Sequence, residues 1–243
     1  MTLTEMANFI CSKMHDTESE SITACKDHIK QRYKMVWNLA LWTESLGVVQ
    51  QAVVAATPEV TVSSNPDLFF YPTSSTTAST APGMDQVVAV RFTETGEDDG
   101  AELLGSEWVN FFALDVNAWN NVESRRSNPT NFVVLPRDSS GNPRVRLVPS
   151  PKNAGTLYVL GKMKLPSLGD SDTPVLPGVV DVLLAYAHGD MLERSNQFGK
   201  AQAKFQEGST LAEVMRDLQK NQMQTTANIV PRVEAHWSTS DFI

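Results

Sequence analysis

Only two cysteines, Cys11 and Cys25, occur in 243 residues, and both fall in stretches patterned as helix. A secreted scaffold stapled by disulfides would carry more, so both are read as reduced thiols of a protein kept in the cytosol. Histidine is nearly as scarce, with His15, His28, His188 and His236 the full set. That leaves little material for acid–base or metal chemistry. No apolar run approaches the roughly 20 residues needed to span a bilayer, so no membrane association is expected. The first ten residues carry an acid and no basic cluster ahead of an apolar stretch, which argues against a signal peptide. Basic residues are the minority charge: 20 Lys and Arg face 28 Asp and Glu, for a formal net charge of −8. A surface that wraps DNA tightly needs the opposite balance.

The catalytic motifs that nearly form all fall short. Cys11-x3-His15 and Cys25-x2-His28 could in principle supply a Cys2His2 zinc site. The pairs lack the knuckle turns of structural zinc sites, and the cysteines sit on apolar faces as buried thiols do. Gly155-x5-Gly161-Lys162 is one residue too long for a phosphate loop and has no Ser or Thr after the lysine, so it reads as strand. His188-Gly189-Asp190 lies inside a helix, where adjacent positions diverge, and Gly189 there suits close helix packing. The acid run Glu97-Asp98-Asp99 beside Gly100 could attract a cation but reads as a solvated loop. Neither an enzyme nor a cofactor or metal site is expected.

What the chain does contain is pattern. Thr4 can cap a short helix with Met6, Phe9, Ile10 and Met14 near helical spacing. Ser19 or Ser21 can cap a longer one, whose apolar face is Ile22, Cys25, Ile29, Tyr33, Val36, Trp37, Ala40 and Leu41, running to about Ser45. After Gly47, β-branched residues and turn formers take over. The expected strands are Val48–Ala55, Val60–Val62, Leu68–Tyr71, Val87–Thr93, Phe132–Leu135, Arg144–Val148 and Thr156–Lys164. A hairpin loop is expected at Asp138-Ser-Ser-Gly-Asn-Pro143, one helical turn around Trp119, and an exposed Ser/Thr-rich loop over 73–80. A linker over 166–174 precedes a helix starting after Pro177-Gly178. A turn near Ser195–Gly199 then leads to a last long helix, in which Gly208 costs about 1 kcal/mol relative to Ala. From Thr225 periodicity fades, yet Val230, Trp237, Phe242 and Ile243 remain, and large apolar residues in such a tail usually need a partner.

The fold class expected is therefore α+β: a bundle formed by the N- and C-terminal helices, an inserted antiparallel, sandwich-like β-rich domain, and an extended C-terminal arm. The divisions fall at 1–46, 47–166, 167–224 and 225–243. Charge is unevenly spread across the middle. Residues 51–105 hold eight acids and one base, whereas residues 106–175 hold eight bases and six acids. Glu97, Asp98 and Asp99 on one side and Arg125, Arg126, Arg144 and Arg146 on the other are candidates for setting electrostatic register between subunits.

The C-terminal stretch carries a resemblance. Leu176-Pro-Gly-Val-Val-Asp-Val-Leu-Leu-Ala-Tyr-Ala-His-Gly-Asp-Met-Leu-Glu-Arg is followed by Lys200-Ala-Gln-Ala-Lys-Phe. This helix pair resembles that of the neck adaptor, or head–tail connector, proteins of tailed bacteriophages. The N-terminal order is similar too: a short helix, a polar turn, a long helix with Ile29-Lys-Gln-Arg-Tyr-x3-Trp37, then strands. The resemblance implies a virion structural subunit, assembled in the host cytoplasm. Like subunits would form a ring, commonly of 12 copies, beneath the portal protein and above tail or nozzle proteins. DNA would pass through its channel without sequence-specific binding. The arm bearing Val230, Trp237, Phe242 and Ile243 would dock onto the portal or a neighbour. The alternatives are another non-catalytic virion protein of the capsid or tail, or a cytoplasmic enzyme with a dispersed site such as Arg91, Asp115 and Arg146.

Overall fold

The protein is described by a computed structural model over residues 1–62, 68–69, 83–96, 101–105 and 126–227. It is a mixed α and β chain. Helix α1 (Leu3–Lys13) starts two residues earlier than expected, because Thr2 and not Thr4 is its cap. The Thr2 hydroxyl accepts from the Glu5 amide, and the Glu5 carboxylate accepts from the Thr2 amide at 2.9 Å. This reciprocal box satisfies two amides that a helix start otherwise leaves without partners. Leu3, Met6, Ala7, Ile10 and Cys11 form its buried face.

Helix α2 (Ser19–Leu39) begins after Glu18, so neither Ser19 nor Ser21 caps it. Ser21 Oγ instead donates to Asp16 at 2.7 Å. The helix stops six residues short of Ser45, because the chain turns extended at Ala40 and Trp42 folds back to donate its indole N–H to the Val36 carbonyl at 2.9 Å. A single 3-10 turn, Thr43–Ser45, then leads into strand β1 (Leu46–Val53).

The strands that follow are β2 (Glu59–Thr61), β3 (Leu68–Phe69), β4 (Met84–Glu94), β5 (Ala101–Gly105), β6 (Arg126–Ser127), β7 (Asn131–Leu135), β8 (Arg144–Val148), β9 (Ser150–Pro151) and β10 (Gly155–Met163). Their order is β2-β8-β7-β5-β4-β10-β1-β3, with β6 and β9 paired separately. Most pairings are antiparallel, as expected, but β5 lies parallel to β7 and β6 parallel to β9. Strands β5, β6 and β9 escaped the sequence reading because they are short and carry charge or proline instead of alternating apolar residues. The loop between β7 and β8 forms where expected. Asp138 accepts from the Ser140 and Asn142 amides at 2.9 and 2.7 Å, and Gly141 takes the positive φ of 77° that the turn requires. The stretch Gly155–Lys162 is strand, not a phosphate loop. The helical turn expected at Trp119 and the loop at 73–80 lie outside the described residues.

Helix α3 (Val179–Arg194) follows Gly178, whose φ is 74°, and helix α4 (Phe198–Ala227) follows a short turn. Two hydrophobic clusters result among the described residues. One gathers α1, α2 and α3 with Ala212 of α4, centred on Ile29, Tyr33, Trp37, Leu183 and Tyr186. The other belongs to the strands, with Val49, Val90, Leu147, Leu157 and Val159 at its centre.

The two clusters meet at the end of α2. The Trp37 indole donates to the Met163 carbonyl at 3.2 Å. Lys162, buried on β10, donates in return to the carbonyls of Trp37 at 2.7 Å and Ala40 at 3.0 Å. The register of β10 against β4 slips on both sides of that stretch, as bulges do when they re-aim a side chain. A cation there also meets the negative end of the helix dipole.

Candidate assembly surfaces

Helices α1, α3 and α4 enclose an open cleft of about 480 Å³. Its walls are Phe9 and Lys13 of α1 and Lys204, Glu207 and Leu211 of α4, and its floor is Asp181, Leu184, Ala185 and His188 of α3. The Lys13 ammonium stands 5.2 Å from the centroid of the exposed Phe9 ring. Lys204 is held to Glu207 at 2.5 Å. Burial, with Lys204 nearby, pushes the His188 imidazole below its usual value of 6.5.

The α4 wall continues past the cleft. Residues 204, 207, 211, 214 and 218 recur at the three- and four-residue spacing of a single helix face. Beyond Leu211 that face is left exposed by the described residues: Val214 is 52% exposed and Leu218 61%. The cause is length. Helix α4 has 30 residues against 16 in α3, so its second half outruns the helix it packs on.

Behind the cleft the opposite side of α3 is closed. Asp190 is 9% exposed and takes a two-pronged contact from Arg32 of α2, with Arg32 Nε donating to Oδ2 at 2.8 Å and Nη2 donating to Oδ1. The guanidinium also lies 5.2 Å from the Tyr186 ring and 5.1 Å from the Phe205 ring, tying α2, α3 and α4 together. His28 Nδ1 approaches the same carboxylate at 3.8 Å. His188 and Asp190 thus face opposite ways, as adjacent helical positions should. The Arg32–Asp190 pair was missed in the sequence, although a lone acid between apolar positions of α3 is a signal for a buried cation partner.

Cys11 and Cys25 are both buried free thiols, and burial, reinforced by the neighbouring Cys11, pushes the Cys25 thiol up to about 12. Among the described residues no group of three or more His, Cys, Asp or Glu is placed to hold a metal ion. Nor is any described helix long and apolar enough to cross a membrane.

The candidate register residues divide. Arg144 and Arg146 both engage Glu59 of the adjacent strand β2, at 2.5 and 3.2 Å. Arg146 is buried there, its side chain 7% exposed, whereas Arg144 stays partly exposed. Arg137 similarly pairs with Asp85 at 2.9 Å. The acidic and basic sub-regions therefore already meet inside one chain, because β2 lies beside β8. Glu97, Asp98, Asp99 and Arg125 lie outside the described residues, and of Arg126 only the backbone, in β6, is described. Val230, Trp237, Phe242 and Ile243 are likewise outside. Of the dispersed enzyme set, Arg91 on β4 and Arg146 on β8 are separated by β5 and β7, and Asp115 is not among the described residues.

Comparison of the sequence with protein-family models and with curated proteins finds no match.

Proposed function

We propose that the chain is a neck adaptor subunit of a tailed bacteriophage, one copy in a ring that joins head to tail and extends the DNA channel. The observation that carries this reading is the apolar face of α4, with Val214 and Leu218 uncovered on a helix that outruns its partner. A helix face of that kind suits lateral packing against a neighbouring subunit, and it sits within the helix pair whose sequence resembles the adaptors. Head-to-tail contacts of one surface on a different surface of the next copy close into a ring when the rotation allows.

In this reading Arg144, with Arg125 and Arg126, meets Glu97, Asp98 and Asp99 of the next subunit and sets the register. The arm with Val230, Trp237, Phe242 and Ile243 docks on the portal, and tail or nozzle proteins bind the opposite face. A net charge of −8 suits a channel through which DNA slides, since phosphates are repelled, not captured. The ring would sit in the virion neck, at a copy number near the 12 common in that family.

Electron microscopy of the protein mixed with its portal tests the reading. A ring stacked on the portal supports it. A tube points to a tail or capsid protein instead, and absence of binding overturns it. Deleting residues 228–243 should leave the helices folded while abolishing the stacked ring, and unchanged stacking would remove the arm from the docking role.

A further inference from the structure

The cleft between α1, α3 and α4 is polarised along its length. Its floor follows α3 from Asp181 to His188, about 10 Å at 1.5 Å per residue. Asp181 marks one end, and positive charge converges on the other. Lys13 of α1 and Lys204 of α4 both act on the His188 imidazole against its protonation, while Glu207 works the other way. The two lysines are not equivalent. Lys204 is neutralised by Glu207 at 2.5 Å. Lys13 is exposed, stands 5.2 Å from the centroid of the Phe9 ring, and has no carboxylate partner among the described residues.

Between the two ends the lining is apolar, with Leu184 and Leu211 beside Phe9, which is 45% exposed. This combination selects one chemistry. A cationic guest is repelled by Lys13. A neutral apolar guest strips water from the ammonium and gives nothing back. An apolar group that carries an anion gains both the contact with Phe9, Leu184 and Leu211 and a charge-assisted hydrogen bond from Lys13.

The shape selects what delivers that group. A free small ligand is normally enclosed over most of its surface. A cleft of about 480 Å³ that stays open on one side admits an aromatic side chain but covers only part of it. A side chain presented by a protein segment brings its own surface to close the mouth.

We propose that the α1–α3–α4 cleft docks a segment of a partner protein in which an aromatic side chain stands beside a carboxylate. The ring lies against Phe9, Leu184 and Leu211, and the carboxylate pairs with Lys13. This site goes beyond the adaptor reading and does not depend on it.

The probe is the acetylated, amidated dipeptide Asp-Trp, titrated into the full-length chain. Binding is followed by the NMR resonances of the His188 ring and of the Leu184 and Leu211 methyl groups. Saturable shifts at all three positions are expected, with a rise in the His188 pKa as the bound anion offsets Lys13 and Lys204. A probe with Asn in place of Asp should bind about fivefold more weakly, the scale of one partly exposed ion pair. A probe with Gly in place of Trp should not bind. Lys13→Gln, at an exposed position, should cause the same loss as the Asn probe with an unchanged circular dichroism spectrum. Glu207→Gln should tighten binding, because it releases Lys204 for the anion.

No saturable shift, shifts confined to residues outside the cleft, or equal affinity of the Asp and Asn probes overturns the proposal. So does an unchanged affinity in Lys13→Gln. Indole-3-acetate is the arm for a free small carboxylate, and tighter binding of it than of the dipeptide overturns the partner-segment assignment. The titration needs no portal, so its failure and the failure of the ring reading are separate results.

Discussion

The ring of Phe205 on α4 occupies the space where a side chain on Gly189 of α3 would stand: a Cβ at position 189 would lie 2.6 Å from Phe205 Cε1. Three residues along each helix, the same interface repeats the device in the other direction. The Tyr186 ring of α3 lies over Gly208 of α4, at 3.0 Å from the corresponding Cβ position. Each helix thus sets one aromatic ring onto a glycine of the other, which lets the two axes approach closely. The Phe205 ring is held in turn by the Arg32 guanidinium on its outer side.

Gly189→Ala should therefore destabilise the fold even though alanine is the better helix former. Propensity favours Ala by about 1 kcal/mol, while a rigid aromatic in the way costs about 1–3 kcal/mol. A net loss of up to about 2 kcal/mol is expected by urea denaturation. Gly208→Ala, with its looser 3.0 Å approach, should be close to neutral. Adding Phe205→Leu to Gly189→Ala should recover part of the loss, and strict additivity of the two changes would sink the packing account.

Much of this was legible in the sequence, and the failures have physical causes. The 3.6-residue spacing of Cys25, Ile29, Tyr33, Val36 and Trp37 marks α2 because one buried stripe dictates it. The strands over 46–53, 84–94 and 155–163 are long enough for β-branched residues to dominate. The end of α2 was not legible, since it depends on Trp42 turning back and on Lys162, more than a hundred residues away. Nor was the cleft, because Phe9, Leu184 and Leu211 come from three helices whose relative placement no local pattern encodes. Gly189 could be marked for close packing, but only the fold supplies Phe205 as the reason.

Lys162 caps α2 from across the chain, and Lys162→Met tests how much the joint between the two hydrophobic clusters depends on it. Methionine fills a similar volume but donates nothing, which strands the Trp37 and Ala40 carbonyls at the negative end of the helix. A loss of about 1–3 kcal/mol is expected from one buried and one partly buried acceptor without partners. Hydrogen exchange should accelerate in the last turn of α2 and in Thr43–Ser45 before it does in α3. Uniform acceleration over the whole chain would instead mean that the cap has no local role.

His188 gives the stability a pH dependence whose sign follows from its burial. Desolvation, Lys204 and Lys13 depress its folded pKa below 6.5, against a smaller opposing effect of Glu207. The unfolded chain therefore takes up a proton near 6.5 while the folded chain does not, and stability falls as pH drops from about 6.5 toward the depressed value. Above that window the contribution is constant. His188→Gln should flatten the fall that begins as pH drops below about 6.5, measured as urea midpoints across the range. An identical slope in the variant would assign the acid sensitivity elsewhere.

The Arg32–Asp190 contact is the remaining place where one substitution should propagate through three helices. Asp190 is 9% exposed and its carboxylate is met on both oxygens by the guanidinium, with His28 Nδ1 3.8 Å away. Removing the guanidinium with Arg32→Ala leaves a nearly buried charge and withdraws a cation from the Tyr186 and Phe205 faces. Breaking one side of a fully buried pair costs about 3–5 kcal/mol. Arg32 keeps 27% of its side chain exposed, so water can partly replace it and about 2–3 kcal/mol is expected. The double variant Arg32→Met with Asp190→Leu removes both charges and keeps the bulk, so it should be milder than Arg32→Ala. If the double variant unfolds as readily as the single one, the interface needs the ion pair for its geometry and not merely for charge balance. If Asp190→Asn alone matches the wild type, the pair contributes nothing beyond packing.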